Sequence, residues 1–422
     1  MMNTTDNEIK NITPANLSQG SFPEKMDTAN QFRAMNFFTL LIIALAMIPW
    51  IFGYKQILGF NVTGWSWVIG VTAALLICMQ NMRLISFPLH LWLPWIGILL
   101  LYWFSGKDNP DANQSLVQLL SPLAVGCAAS IFRPDSKQLE FIVIWITRLA
   151  WIAWLLLFVS MPMILIGVLP NYSFMAPQMI GGLLLGACYI AFYFCGSGRH
   201  LYYYLAMLAI AVVSLTRGPI IAMLSCLPLT PAPLTSRKRI ILCAAMIICA
   251  LFLFNSERIQ QRMFYSGQGE LTDLYLDNPN LATSGRSFMW DILWPGVEEN
   301  PWLGNGFNMH RKTLINYGSI LYLPHNDWLK LLYDMGIVGA GIYLIIMVLQ
   351  MLSLIKIARW SSGANRLLAY GAATAFVPYA LIMLTDNVIL YVQFFGNLHF
   401  ALIGIIYGAL RREREEVFFN AS

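Results

Sequence analysis

The amino-acid sequence predicts an all-α membrane protein with many spans and one long polar loop. Of its 422 residues, 58% are hydrophobic and only 11% are charged, whereas a soluble domain carries about 25% charged residues. A single water-facing core cannot cover so much apolar surface, so membrane lipids must solvate a large part of it. The net charge is +5, with no basic run longer than Arg237-Lys238-Arg239, so we expect no nucleic-acid partner.

Apolar runs recur along the chain at roughly the length of a membrane helix, which needs about 20 residues. They cover residues 35–53, 62–80, 87–104, 115–132, 139–168, 174–195, 200–215, 218–234, 239–254, 335–355, 366–385 and 388–410. We predict about twelve transmembrane helices from these runs. Residues 35–254 hold the first nine, and residues 325–410 hold a helix start outside the membrane followed by the last three.

Basic residues alternate between successive loops as the positive-inside rule requires. If the N-terminus is cytoplasmic, the short outside loops carry only Lys55, Lys107 and Arg217. The cytoplasmic segments then carry Lys10, Lys25, Arg33, Arg83, Arg133, Lys137, Arg199, Arg237, Lys238, Arg239, Lys356, Arg359, Arg366, Arg411, Arg412 and Arg414. This asymmetry predicts that both chain ends are cytoplasmic.

Both chain ends are predicted to be polar tails. Residues 1–34 lack the short basic start of a cleaved signal peptide, so we interpret them as a disordered cytoplasmic tail and the first span as retained. Residues 411–422 form a short second tail. The seven cysteines lie in or beside apolar runs with no metal-ligand spacing, which indicates packing residues rather than disulfides.

One loop is much longer than the others. Residues 255–324 lie between the ninth and tenth spans, on the outside face, and mix charges, aromatic residues and turn residues. A loop of this length is uncommon unless it has a function. The pieces 256–265 and 286–294 are predicted to form short amphipathic helices that lie on the membrane surface.

Two arginines on the outside face precede predicted helices. Arg217 ends an apolar run and is followed closely by Pro219, a residue favoured in the first turn of a helix. Arg286 follows Gly285 at a second predicted helix start. A helix N-terminus beside a guanidinium suits an anion such as phosphate. The alternatives are an interfacial arginine that reaches the headgroups and a surface arginine in a polar loop.

A histidine occupies a similar position before the tenth span. His325 follows Pro324, and a helix is predicted to begin near Asn326 or Asp327. The positive end of a helix favours a neutral imidazole, which can accept a proton as a general base must. Asn326 or Asp327 would then orient the ring. The alternative is a histidine that only caps the helix or contacts headgroups.

Arg148 lies inside the run 139–168, where a charge costs about 2.5–3.5 kcal/mol on insertion scales. We expect it to face a carbonyl or carboxylate partner, with substrate contact as the alternative. The sequence contains no Asp-x-Asp pair and no other evident metal spacing, so it predicts no metal site and no cofactor. Arginines would have to neutralise any bound diphosphate.

Three motifs follow one another between about residues 205 and 350. They are Ser214-Leu215-Thr216-Arg217-Gly218, then Ser284-Gly285-Arg286 with Trp290 and Pro301-Trp302-Leu303-Gly304-Asn305-Gly306, then His325-Asn326 with Gly336 and Gly339. In this order they resemble the O-antigen ligase/polymerase superfamily of membrane glycosyl transferases. The histidine-to-glycine spacing and the moderate length resemble the O-antigen ligases within it.

The resemblance implies a GT-C-like enzyme of the bacterial inner membrane with its active site in the periplasm. It implies a polysaccharide donor on undecaprenyl diphosphate, a lipid A–core acceptor and a metal-independent, inverting transfer. Carried over by position, Arg217 and Arg286 would hold the diphosphate and His325 would activate the acceptor hydroxyl. Four aromatic residues are candidates for sugar stacking or for anchoring at the interface: Tyr265, Trp290, Trp294 and Trp328.

Several alternatives stay open at this point. An O-antigen polymerase is the nearest, followed by a protein O-oligosaccharyltransferase. A lipid or anion transporter would also fit twelve spans with a buried arginine, although the chain has no repeat halves. The sequence does not determine the glycan, the acceptor sugar or the oligomeric state.

Overall fold

The computed structural model describes residues 28–49, 56–166, 182–213, 216–275, 278–318 and 322–421. Over this part of the chain the protein is all-α apart from one β-hairpin. The helices are α1 Thr28–Met47, α2 Val62–Gln80, α3 Leu89–Gly106, α4 Ala112–Ala129, α5 Ser136–Leu165, α6 Gly186–Phe194, α7 His200–Val213, α8 Arg217–Leu229, α9 Ser236–Phe254, α10 Glu257–Met263, α11 Arg286–Glu299, α12 Met309–Asn316, α13 Asp327–Trp360, α14 Gly363–Ile382 and α15 Gly396–Ala421.

The hairpin precedes α2 and is very short. Strands β1 (Gln56–Ile57) and β2 (Phe60–Asn61) pair antiparallel, with Ile57 opposite Phe60. Leu58 and Gly59 both have positive φ angles, 51° and 82°. Such a two-residue connection twists in the same sense as the strands it joins.

Every apolar run in the sequence contains a helix, which confirms an all-α membrane protein. Within the described ranges, four helices are long and apolar enough to cross a membrane: Val62–Gln80, Leu89–Gly106, Ser136–Val159 and Asp327–Trp360. The pair α9 and α10, bent by 78°, is a possible fifth. Helices α6, α7 and α8 are apolar but shorter, as is Phe32–Met47 of α1. The count of twelve crossings and the GT-C-like arrangement stay predictions.

The last predicted span begins later than expected. The apolar run 388–410 was predicted to be helical throughout, but α15 begins at Gly396 and residues 383–395 form turns. These turns are buried, so their backbone groups need partners inside the protein. Asp327 supplies two of them: its carboxylate accepts from Ile389 N at 2.8 Å and its backbone N donates to Met383 O at 2.7 Å.

Helix extends into both predicted tails. Helix α1 begins at Thr28, inside the segment 1–34, and residues 1–27 lie outside the described part of the chain. Helix α15 continues to Ala421, through most of the segment 411–422. The pairs Arg411–Glu415 and Arg412–Glu416 support this extension, because residues four apart share a helix face.

Small residues let the membrane helices approach one another closely. Helix α14 is buried among α5, α6, α8, α13 and α15. On α15, Gly404 and Gly408 lie against the backbone of α4 at Gly126 and of the residues that follow α4 at Phe132. Glycines four residues apart allow such contact, which favours helix association where lipid offers no hydrophobic drive.

Helix α13 bends sharply at Gly336, and a loop segment fills the bend. The φ and ψ angles of Gly336 are 61° and −169°, a region that only glycine occupies readily. An added Cβ there would overlap the backbone of Trp302. Four hydrogen bonds join the two segments: Asn305 N to Tyr333 O (2.8 Å), Gly306 N to Asp334 O (2.9 Å), Ile337 N to Pro301 O (2.8 Å) and Val338 N to Trp302 O (3.1 Å). We call residues 301–306 with 333–338 the Gly336 seam.

Helix α11 packs one face against the first turns of α13, and its predicted position on the membrane surface stays a prediction. Its buried residues Met289, Leu293 and Val297 recur every four positions along one face. They form a cluster with Leu329 and Tyr333 of α13. The short helices α10 and α11 correspond to the predicted pieces 256–265 and 286–294. An amphipathic face needs an apolar neighbour, and for α11 the first turns of α13 provide it.

Candidate functional site

The Arg217 side chain reaches from the membrane helices to the long loop. Arg217 is the first residue of α8, with Thr216 at the N-cap, so the predicted helix start is confirmed. One guanidinium nitrogen donates to Ala282 O at 2.8 Å. The side chain is only half-buried, and the guanidinium has further donors beyond this bond.

Arg286 lies at a second confirmed helix start. It is the first residue of α11, and Gly285 before it adopts the left-handed conformation with φ 77°. Burial lowers the pKa of the Arg217 guanidinium, and the positive charges of Arg286 and Arg262 lower this pKa further. Among the described residues, none of these three arginines forms an ion pair with a carboxylate. Like charges gathered without acids make a site that favours an anion.

His325 pairs with an acidic residue far away in the sequence. Its Nδ1 lies 3.1 Å from Asp386 Oδ1 and 3.1 Å from Asn387 Nδ2. The His325 and Asp386 side chains are 26% and 17% exposed, so both reach solvent. The backbone φ of His325 is 48°, a left-handed conformation that is uncommon outside glycine. The helix start is confirmed one residue on, where Asn326 caps α13 by accepting from Leu329 N at 3.0 Å.

The hydrogen bonds favour one tautomer of the His325 ring. A proton on Nδ1 donates to the Asp386 carboxylate and leaves the lone pair of Nε2 free to accept a proton. Asn387 Oδ1 is buried without a partner among the described residues. With the Asn387 amide turned by 180°, this oxygen takes the place of Nδ2 opposite Nδ1–H and accepts from it, which suits the same tautomer.

Contacts link the segments that carry Arg217, Arg286 and His325. Gly218, next to Arg217, abuts Thr385: an added Cβ would lie 2.6 Å from the Thr385 hydroxyl oxygen. Thr385 adjoins Asp386, which contacts His325. On the other side, Trp290 of α11 donates from Nε1 to Pro324 O at 2.7 Å, directly before His325. The three predicted site residues are therefore supported by one set of neighbouring segments.

These segments lie in a part of the chain with known relatives. Residues 202–344 match the family model described as O-antigen ligase. Over this segment the chain is similar to the O-antigen ligase family. No protein of curated function matches it. The matched segment runs from α7 into α13 and contains Arg217, Arg286, His325 and the Gly336 seam, whereas Asp386 lies beyond it.

Within the ligase-family segment, Asn326 and Asp327 have partners other than the His325 ring. The Asn326 side chain caps α13, and the buried Asp327 carboxylate binds Ile389 N. The expectation that either orients the ring therefore needs correction. Both residues instead hold the start of α13 and the turns after α14, and the latter carry Asp386.

Asp386 and Asn387 were missed by reasoning from the sequence. They lie between two apolar runs, where the sequence suggested only a tight turn. The sequence contained one indication of their importance: Asp386 is an acidic residue in a short predicted loop of a chain that has few charges. Its partner could not be predicted, since the two residues are 61 positions apart.

Arg148 has a different partner from the one expected. It is exposed on α5, and its guanidinium carbon lies 5.5 Å from the centre of the Trp145 ring. In the described ranges it forms no ion pair with a carboxylate, so a cation–π contact replaces the predicted polar partner.

Three of the four candidate aromatic residues donate a hydrogen bond within the protein; Trp294 Nε1 donates to Glu298 Oε1 at 2.9 Å. The indole N–H of Trp290 binds Pro324 O, and that of Trp328 donates to Ala380 O at 2.9 Å. Tyr265 is exposed. In the described ranges, no three His, Cys, Asp or Glu side chains are grouped so that they could hold a metal ion. The charged groups gathered at this site are arginines, a histidine and an aspartate.

Proposed function

We propose that the protein is an O-antigen ligase. It transfers polysaccharide from undecaprenyl diphosphate to a sugar hydroxyl of lipid A–core at the periplasmic face of the inner membrane. The observation that carries this proposal is the set of contacts that links the segments of Arg217 and Arg286 to the His325–Asp386 pair. The two arginines and His325 lie in the family-matched segment. Cationic and proton-accepting groups side by side suit transfer from a phosphorylated leaving group to a hydroxyl.

In this proposal Arg217 and Arg286 bind the diphosphate of the donor. Negative charge grows on the diphosphate as the glycosidic bond breaks, and fixed guanidinium groups stabilise it. Each guanidinium offers several donors in a planar fork, which matches phosphate oxygens better than a point charge does. Arginines would then perform the neutralising role that a metal performs elsewhere, which makes the transfer metal-independent.

His325 acts as the general base. Its Nε2 takes the proton from the acceptor hydroxyl while the hydroxyl oxygen attacks the anomeric carbon. A new C–O bond forms, the bond from the anomeric carbon to the diphosphate oxygen breaks, and undecaprenyl diphosphate leaves. Attack opposite the leaving group inverts the anomeric centre. Asp386 accepts from Nδ1–H and stabilises the imidazolium that forms.

The membrane supplies both lipid-linked substrates. The polyprenyl chain of the donor would lie among the membrane helices, and both termini of the protein would be cytoplasmic. Apolar helices on each side of the long loop support a site at the membrane boundary. This geometry lets two lipid-anchored substrates meet by diffusion in the same leaflet.

Reconstitution provides the direct test. The purified full-length protein is placed in vesicles with undecaprenyl-diphosphate-linked polysaccharide and lipid A–core, and products are separated on a lipopolysaccharide gel. Ligase activity gives polysaccharide-capped lipid A–core, and His325→Ala vesicles give none. Movement of the donor lipid without a new glycosidic bond would instead indicate a transporter.

The gel pattern of a strain that lacks the gene separates ligase from polymerase. A ligase deletion leaves uncapped core and accumulates lipid-linked polymer. A polymerase deletion leaves cores that carry a single repeat unit. The second pattern would contradict the proposal while leaving the similarity to the O-antigen ligase family intact.

A further inference from the structure

The long loop contains a polar cleft of about 430 Å³ beside the first turn of α11. This volume lies within the range of small-molecule sites, about 300–1,000 Å³. Its lining includes Tyr265, Asn278, Leu281, Thr283, Ser287 and Asp291. Polar groups predominate, and one aromatic ring stands among them.

The cleft adjoins Arg217 and Arg286. Arg217 binds the carbonyl of Ala282, and the two neighbours of Ala282, Leu281 and Thr283, line the cleft. Ser287, which also lines it, directly follows Arg286. A substrate whose diphosphate lies on the arginines can therefore extend its next group into the cleft.

The walls of the cleft are held by internal hydrogen bonds. Asn278 Nδ2 donates to Asp273 O at 2.8 Å, and its Oδ1 accepts from Asn280 N at 2.9 Å. The hydroxyl oxygens of Thr283 and Ser287 lie 2.8 Å apart. These bonds keep the cleft preformed, which lowers the entropy cost of binding a ligand.

Two side chains remain available to a ligand. Tyr265 is 71% exposed, and Asp291 is exposed as well. Within the described part of the chain, neither side chain has a hydrogen-bond partner, and Asp291 forms no ion pair. The cleft thus offers a flat aromatic face, a carboxylate that accepts hydrogen bonds and nearby hydroxyls.

We propose that this cleft binds a neutral sugar unit next to the reacting linkage, an inference that rests on the proposed function. A pyranose has an apolar C–H face that packs on an aromatic ring and an edge of hydroxyls that donate to a carboxylate. Asp291 repels phosphate and acidic sugars, so it separates the saccharide from the diphosphate held by the arginines. Both substrates carry saccharides, and the experiment distinguishes them.

Binding of soluble oligosaccharides tests the cleft without turnover. Mild acid releases O-polysaccharide fragments from the donor and core oligosaccharide from the acceptor, and saturation-transfer NMR measures the affinity of the full-length protein for each. We expect one of the two to bind, which assigns the cleft to donor or acceptor. Tyr265→Ala and Asp291→Asn should each weaken that binding about tenfold, because a buried stacking or charged hydrogen-bond contact contributes about that much.

Matched control variants come from the same region. Tyr317→Ala removes a tyrosine of similar exposure, 68%, and Glu299→Gln removes an exposed acid from the far end of α11. Both controls should bind like the wild type. Equal affinity of cleft and control variants for both oligosaccharides would overturn the proposal, as would wild-type protein that binds neither.

Kinetics separates this proposal from the function on which it rests. In the vesicle reaction, the cleft variants should raise KM for the same substrate about tenfold and leave kcat within about twofold. Wild-type protein that binds oligosaccharide in a Tyr265-dependent way but transfers no glycan would refute the ligase function and keep the cleft. Transfer with cleft variants at wild-type KM would refute the cleft and keep the ligase.

Discussion

The two halves of the long loop are built differently. The first half, from residue 255 to Arg286, is held together mainly by its own hydrogen bonds, such as Gly269 N to Gln260 Oε1 at 2.8 Å. Arg217 ties it to the membrane helices through a single carbonyl, Ala282 O. Near its end lie the polar cleft and, at the start of α11, Arg286.

The second half is joined firmly to the helix bundle. The Gly336 seam pairs it with α13 through four backbone hydrogen bonds. The turn between α3 and α4 adds more: Asn109 Nδ2 donates to Phe307 O and Asn308 Nδ2 donates to Pro110 O, each at 2.6 Å. The comparison indicates that the second half acts as a scaffold, whereas the groups proposed to bind ligands lie in or directly after the first half. Substitutions should therefore lower stability in the second half and activity in the first.

The largest effect on activity is expected at His325, the proposed general base. His325→Ala should lower kcat about 1,000-fold, because general-base catalysis contributes about 10²–10⁴. Binding of the lipid-linked donor should persist, since the arginines are unchanged. Asp386→Asn should lower kcat less and leave the donor KM unchanged, as expected for a residue that positions the ring. An active His325→Ala protein would exclude the base role.

A loss of activity is also expected when Arg286, at the end of the first half, is replaced. Arg286→Ala should lower ligation about 100-fold or more, since charge stabilisation of the leaving group is lost. The melting temperature should stay near that of the wild type. Arg258→Ala is the control, because Arg258 is exposed in the same half of the loop. Normal ligation by Arg286→Ala would remove it from the site.

The scaffold half should respond in the opposite way. Gly336→Ala forces a side chain into a glycine-only conformation and against Trp302, which should cost about 2 kcal/mol or more of unfolding free energy. The measurement is the melting temperature in detergent. Gly341→Ala is the control, because a Cβ there meets open space on the same helix. Equal melting temperatures would contradict the scaffold role of the seam.

The smallest effect on activity is expected for Arg217→Lys, which keeps the positive charge but changes the geometry of the hydrogen-bond donors. Arg217→Lys retains the positive charge but loses the planar fork and the bond to Ala282, so ligation should fall about tenfold. Stability should change little, because one partly exposed hydrogen bond contributes about 1 kcal/mol. Full activity would indicate simple charge attraction rather than shaped recognition of the diphosphate.

Local signals made the site's helix starts predictable. Pro219 after Arg217, Gly285 before Arg286 and Asn326 after His325 each mark a helix start within a few residues, and the structure confirms all three. The start of α15 could not be predicted in this way. The residues after Asn387 are apolar enough for a helix, and only their burial and the Asp327 bonds make them turns.

The sequence by itself determined the membrane class, the apolar helices and the helix starts at the candidate site, because hydropathy and helix caps act over a few neighbouring positions. Tertiary structure alone decided that Asp386 contacts His325 and that residues 301–306 fill the bend at Gly336. Those contacts join residues dozens of positions apart. They depend on how whole helices pack, which no local pattern encodes.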